Sequence, residues 1–269
     1  MDRVPICFIE EVLLQLEDTP RFKNRKYPSI WGEVADKKLT RKNADLHIYL
    51  ESKEKVFFCV YDDDGPVGLD RIGQFVLENI EFEDILDEDW NATELPKFHP
   101  LTKKNFQRLH NVFRKPFPCS LELDFQTDPI HPLVQRLCLA IPRVAELRLA
   151  SQVPLCMDIL TRSIERGTLR FLCCQVDVTQ EMLPVLLKFV TSEKMDKFEA
   201  KPSDDSPISY ETLLNVIVDA VLTRKRGCRV LVADRCRHLC DRLNEEVMRE
   251  KVKVIAYYSW DRLSVRCNE

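Results

Sequence analysis

The chain has 269 residues, of which 45% are apolar and 31% charged. Those are the proportions of an ordinary folded protein, with room for about two domains of about 100–200 residues each and a core that needs no covalent staples. A formal net charge of −4 with scattered lysines and arginines disfavours a nucleic-acid partner, and no window offers roughly 18 uncharged apolar residues, so the chain reads as soluble, with no membrane partner.

Residues 1–43 read as a module of short helices. Val4, Phe8, Val12, Leu13 and Leu16 share one helical face, and Pro5 sits where a first turn tolerates it. Asp18-Thr19-Pro20 ends that helix, and Ser29 is a candidate cap for another that turns Ile30, Trp31, Val34 and Ala35 inward. Asp2, Arg3, Glu10 and Glu11 interrupt the first apolar residues, unlike a signal peptide.

Residues 44–117 form a hairpin and linker region. Leu46, Ile48 and Leu50 alternate with polar neighbours, Val56–Tyr61 is β-rich and the Ser52–Lys55 segment between them is short and polar, which predicts a hairpin, with Asp62-Asp63-Asp64-Gly65-Pro66 as a strong stop after it. Gln74–Phe82 is a strand or a helix, and Glu83–Glu94 an exposed acidic loop. Thr102–Arg114 carries the helical stripe Phe106, Leu109 and Phe113.

From residue 118 to 269 an apolar-x-x-apolar-x-small pattern recurs six times: Pro118/Leu121/Leu123, Val144/Leu147/Leu149, Leu169/Leu172/Cys174, Met195/Phe198/Ala200, Cys228/Leu231/Ala233 and Val252/Ile255/Tyr257. Successive starts are near-evenly spaced, except for one longer interval that contains the loop Pro202–Pro207. Helical segments lie between: Ile130–Ala140, Leu155–Glu165, Gln180–Ser192, Tyr210–Lys225 and Leu239–Arg249. Asp128-Pro129, Thr179 and Ser209 mark the starts of three of them. Strand–helix units in series predict parallel strands with helices alongside. Overall the fold class is α/β (α+β for the whole chain), with an ordinary open α/β sheet as the alternative to a stacked repeat.

Two resemblances rest on these residues. Residues 4–34 resemble an F-box, a small helical module that opens on a Leu-Pro-like pair and ends near a Trp; here the pair is Val4-Pro5 and the Trp is Trp31. Met1-Asp2-x-Val4-Pro5-x-x-Phe8-x-x-x-Val12 is similar to the start of a nematode-type group of F-box-like proteins, in which a degenerate repeat region follows. The resemblance implies docking onto the adaptor subunit of cullin–RING (SCF-type) ubiquitin ligases through Val4, Pro5, Phe8, Val12, Leu16 and Trp31. The alternative is an N-terminal cap whose apolar face packs on this protein's own hairpin.

The repeat region resembles a leucine-rich-repeat arc, whose period of about 25 residues it shares. The family's Asn in the turn after each strand is replaced by Gln152, Asp177, Ser203, Cys236 and Trp260. What this resemblance implies is a partner met by exposed side chains of the strand face: Glu146, Arg148, Arg170, Lys197 and Glu199, with Arg229 and Lys253 further along. The bland reading is a solvated charged face.

No catalytic, metal or cofactor signature emerges. Cys228, Cys236, His238 and Cys240 lie close together in the sequence but read as buried thiols and a surface histidine. Cys173-Cys174 is adjacent, not C-x-x-C, and strand alternation sends one thiol to each side. Asp62-Asp63-Asp64-Gly65 resembles a calcium loop, but Arg71 stands where the closing Glu would. No G-x-S-x-G, H-E-x-x-H, GxGxxG or GxxxxGK[ST] occurs. Eleven cysteines, most in apolar runs, suit a reducing compartment, cytoplasmic or nuclear. The expectation is a non-catalytic substrate receptor of a ubiquitin ligase that holds an unknown target protein. A scaffold with no ligase link is the alternative.

Overall fold

Alternation of apolar and polar residues over Asn43–Leu50 buries every second side chain, and the computed structural model makes it strand β1. The structure describes residues 8, 9, 12, 31, 42–85, 98–115, 117–125, 128–201, 203, 206–222, 229–233, 257–259 and 262–266. The chain divides into two compact units, one comprising residues 1–81, 85–119 and 130–143, the other 82–84, 120–129 and 144–269.

In the first unit β1 pairs antiparallel with β2 (Val56–Asp62), with Leu46 opposite Val60 and Ile48 opposite Phe58. Both flanks of this hairpin were expected. Gly65, at φ +118°, allows the chain to double back into the two-residue strand β3 (Gly65–Pro66), a conformation that side chains with a Cβ rarely adopt. The ambiguous segment after it is a strand, β4 (Val76–Asp84), whose last three residues belong to the second unit. β5 (His99–Pro100) pairs with Phe57 and Phe58 of β2.

Helix α1 (Lys103–Phe113) starts at Thr102, whose hydroxyl accepts the Asn105 N–H at 3.3 Å, and buries Phe106, Leu109, Val112 and Phe113. Packed beside it is α2 (Pro132–Ala140), the first helix expected between repeat strands. Its cap is His131, whose Nδ1 accepts the Leu133 N–H at 3.1 Å, with Pro132 in the first turn; Asp128-Pro129 lies short of the helix. The Arg136 guanidinium stands 4.8 Å from the centre of the Phe106 ring.

The second unit is a mixed α/β layer in which most strands run parallel. Its strands are β6 (Cys119–Asp124, whose first residue belongs to the first unit), β7 (Val144–Leu149), β8 (Phe171–Cys174), β9 (Lys197–Ala200), β10 (Arg229–Ala233), β11 (Tyr257–Ser259) and β12 (Arg262–Arg266). They lie in the order β6-β7-β8-β9-β10-β12-β11, with β7 through β10 parallel. Helices α3 (Pro154–Glu165), α4 (Met182–Val190) and α5 (Tyr210–Leu222) connect β7 to β10. Thr179 Oγ1 accepts the Met182 N–H and Ser209 Oγ the Thr212 N–H, as expected of those starts.

The sequence spacing has a direct structural counterpart. Ala150 N–H donates to Leu123 O, Gln175 N–H to Leu149 O and Lys201 N–H to Cys174 O, at 2.7–2.9 Å. The residue after each strand therefore repeats the same bond to the strand before it. Side chains add a second ladder in the following turns. Gln152 Nε2 donates to Asp177 O at 3.1 Å, and Asp177 Oδ1 accepts the Ser203 N–H at 2.9 Å. These are the positions at which the expected turn Asn is missing.

The sixth expected strand is not the next parallel neighbour of β10, because β12 lies between β10 and β11. Tyr257 belongs to a hairpin in which β11 pairs antiparallel with β12, and β12 antiparallel with β10. The short connection between β11 and β12 leaves no room for the crossover that a parallel pair requires, so the chain returns directly. The expected helix over Leu239–Arg249 and most of the N-terminal helical module lie outside the described residues.

Candidate interaction surface

Consecutive parallel strands that lie side by side, joined by crossovers of one hand, must carry all their helices on one face of the sheet. α3 packs against α4 and α4 against α5, as that geometry requires. The helix side buries Leu147, Leu149, Leu172, Cys174, Phe198 and Ala200. The alternate residues point the other way and line up across the strands. Glu146 pairs in register with Phe171, Phe171 with Lys197, and Lys197 with Arg229. In the next row Arg148 pairs with Cys173 and Cys173 with Glu199.

This outward face holds most of the expected target-binding residues. Glu146 and Arg148 are exposed, and Arg148 Nη1 lies 3.7 Å from Glu122 Oε2 on β6. Lys197 is partly exposed, its Nζ 4.0 Å from the centre of the Phe171 ring, a cation–π contact.

Two expected residues depart from the exposed pattern. Glu199 is only 4% exposed. Its Oε1 lies 3.0 Å from Lys201 Nζ and its Oε2 3.9 Å from Lys197 Nζ, so it anchors two lysines from beneath. Arg170 precedes β8 on the helix-side register, its N–H bonded to Ala145 O and its guanidinium 3.8 Å from Asp196. One residue's shift along a strand reverses the face, which is why it leaves the row. Lys253 lies outside the described residues.

Phe171, Cys173 and Lys201 belong to this surface although the sequence pattern does not single them out. Strand alternation from Glu146 and Arg148 contained the signal, but Phe171 and Cys173 look like core in a continuous apolar run. Both are in fact buried, so all four residues of β8 are enclosed. The two thiols do point to opposite sides. Cys173 sits under Gln175, whose amide is 3.7 Å from its sulfur, while Cys174 lies on the helix side.

The thiols are held in the neutral form. Burial pushes Cys119 and Cys156 up to about 12 and Cys174 up to about 11. Burial first, then the Glu199 carboxylate, raises Cys173. A nucleophilic cysteine needs the reverse. In the first unit His47 Nδ1 lies 3.0 Å from Glu81 Oε2, with the Tyr61 ring edge-on at 6.0 Å. Cys59, opposite His47 in register, is fully buried. Burial and then a hydrogen bond to Cys59 push Tyr61 up to about 12.

Among the described residues no three His, Cys, Asp or Glu side chains converge so as to hold a metal ion. Cys228, Cys236, His238 and Cys240 are not among them. The turn at Asp62–Gly65 is closed by its own groups: Asp62 Oδ1 accepts the Asp64 N–H, and Asp64 Oδ2 meets Lys42 Nζ at 2.6 Å. A shallow cleft in the first unit is lined by Val76, Ile80, Val112, Phe113, Lys115, Phe117 and Ile141.

Of the expected adaptor contacts, Phe8, Val12 and Trp31 are described, each in helical conformation. Phe8 is 54% exposed, while its neighbour Ile9 is fully buried. Val12 and Trp31 are partly exposed. Val4, Pro5 and Leu16 lie outside the described residues.

No helix among the described residues is long and apolar enough to cross a membrane. Comparison with protein-family models, with curated proteins and with solved structures gave no match.

Proposed function

We propose that this chain is a non-catalytic substrate receptor of a cullin–RING (SCF-type) ubiquitin ligase, working in the cytoplasm or nucleus. Its N-terminal F-box-like segment docks on the ligase adaptor subunit. Its second unit, a degenerate leucine-rich-repeat-like arc, holds a target protein on the outward strand face. Ubiquitin transfer belongs to other subunits, and the chain itself requires no cofactor.

The observation that carries this reading is the one-sided layering of the second unit, with helices on one face and Glu146 and Arg148 exposed on the other. A surface that presents in-register side chains from successive strands suits recognition of a protein. The bonds made by Gln152 and Asp177 supply the turn-to-turn links that the repeat family obtains from Asn. Exposure of Phe8 supports a docking role, because a bulky apolar side chain on a helical turn is what a partner groove accepts. Neutral, buried thiols favour a binding protein over a cysteine enzyme.

The test is retention of purified recombinant adaptor by the full chain and by a Val4→Asp/Phe8→Asp variant. Placing carboxylates in an apolar groove should weaken retention at least about tenfold. A scaffold with no ligase link is the second reading, favoured by the burial of Ile9 beside Phe8. Equal and low retention by both proteins would establish that alternative.

A further inference from the structure

The outward face of the second unit is sorted by charge. Toward β6 and β7 it carries Glu122, Asp124 and Glu146 against Arg148, which already faces Glu122 at 3.7 Å. Glu146 is exposed and has no ion pair among the described residues. Toward β9 the exposed ends are cationic. Lys197 and Lys201 reach the surface, while the carboxylate between them is sunk beneath it. β8, the strand between the two sides, contributes no charged side chain to this face.

The buried carboxylate makes this more than a solvated mixture. Withdrawing Glu199 from water is costly unless cations satisfy it. Its Oε1 lies 3.0 Å from Lys201 Nζ and its Oε2 3.9 Å from Lys197 Nζ, so both ammoniums are drawn toward this one carboxylate. Lysines anchored in this way lose less freedom when a partner's carboxylate arrives. The geometry also sets a length. Neighbouring strands lie about 4.8 Å apart, so a point between β6 and β7 is about 12 Å from β9. An extended chain, rising about 3.3 Å per residue, covers that distance in about four residues, and residues i and i+4 project to the same side.

We propose that this face takes an extended segment of a protein target that crosses the strands, with a basic side chain over β6–β7 and an acidic side chain four positions away over β9. This inference rests on the reading of the same face as the target-holding surface. It adds the chemistry of what is held.

The experiment uses the full chain and four labelled synthetic nonapeptides in low-salt buffer, read by fluorescence anisotropy. One peptide has lysines at one end and glutamates four positions away. A second has the same composition with the charges alternating. The third and fourth carry lysines only or glutamates only. The block peptide should bind at least about fivefold tighter than the alternating one, a difference that high salt should erase. Glu146→Lys, at an exposed position, should keep the melting temperature, weaken the block peptide at least about fivefold and turn the preference toward the glutamate peptide.

Equal binding of block and alternating peptides, no binding of any of them, or an unchanged preference in Glu146→Lys would overturn the inference. Adaptor retention by the same preparations tells the two failures apart. Retained adaptor with no peptide preference removes the charge rule alone. Lost retention with the preference intact removes the ligase role and leaves this surface standing.

Discussion

A thiol enclosed by apolar side chains loses the water that would solvate its anion, and in this chain that one effect sets the behaviour of several cysteines. Burial is the largest influence on Cys119, Cys156 and Cys174 alike, outweighing the Ser151 hydrogen bond to Cys156 and the Val176 carbonyl beside Cys174. With Cys119 and Cys156 pushed up to about 12, the thiolate at pH 8.5 is scarcer than in a free cysteine by about a thousandfold. Iodoacetamide should therefore leave Cys119, Cys156 and Cys174 unmodified in the native protein and label them in urea, as peptide mapping can check. Labelling of native Cys156 at the rate of a small free thiol would contradict this. The sign of the pH dependence follows. The folded state binds the thiol proton more tightly, so this contribution to stability is intact below about pH 9 and is lost as pH rises toward 12. At the same scale, the sequence showed that Cys173 and Cys174 face opposite ways, but not that both are enclosed. For Cys173 that depends on Gln175 and on Glu199 of the neighbouring strand.

Turns that follow the strands show how an element can be supported without its usual residue. Asp177 sits between two such turns: its carbonyl accepts from Gln152 and its carboxylate accepts the Ser203 N–H. The carboxylate bond to Ser203 should contribute about 1–2 kcal/mol, more than a neutral bond because the acceptor is charged. Asp177→Ala should lower the urea midpoint accordingly, while Asp177→Asn, which keeps an acceptor oxygen in the same place, should recover most of the loss. Equal loss in both variants would mean that charge, not the turn-to-turn bond, matters there. The elements were largely legible in advance. α1, α3 and α5 begin at or next to their expected starts, because amphipathic spacing and capping groups act locally. The start of α2 was less legible: His131 displaces Asp128-Pro129 as the cap, and a histidine is not a usual capping residue.

On the scale of the molecule, the two compact units differ in how their sheets are built. The first relies on an antiparallel hairpin with short flanking strands, the second on parallel strands added in sequence order. In the second unit β8 is hydrogen-bonded on both sides, to β7 and β9, and all four of its side chains are buried, whereas among the described strands β11 ends the order and pairs only with β12. Native-state hydrogen exchange should therefore be slowest at Leu172–Cys174 and faster at Tyr257–Ser259. Equal protection of the two segments would show that this unit opens only as a whole.

The sequence alone determined the local elements and their spacing. Period-two and helical patterns identified the hairpin, the described helices and the first five strands of the repeat, and the near-constant interval between repeats reappears as equivalent backbone bonds from the residues after β7, β8 and β9 to the strand before. Tertiary structure alone decided which charges reach the surface and which strand lies next to β10. Glu146 and Glu199 have the same charge and the same strand parity, yet one is exposed and the other enclosed. The physical reason is that burial depends on what lies beside each position: Glu199 sits next to Cys173 of β8, a repeat away in the chain, as well as between Lys197 and Lys201, and the strand-to-strand part of that environment is not recorded in any local pattern.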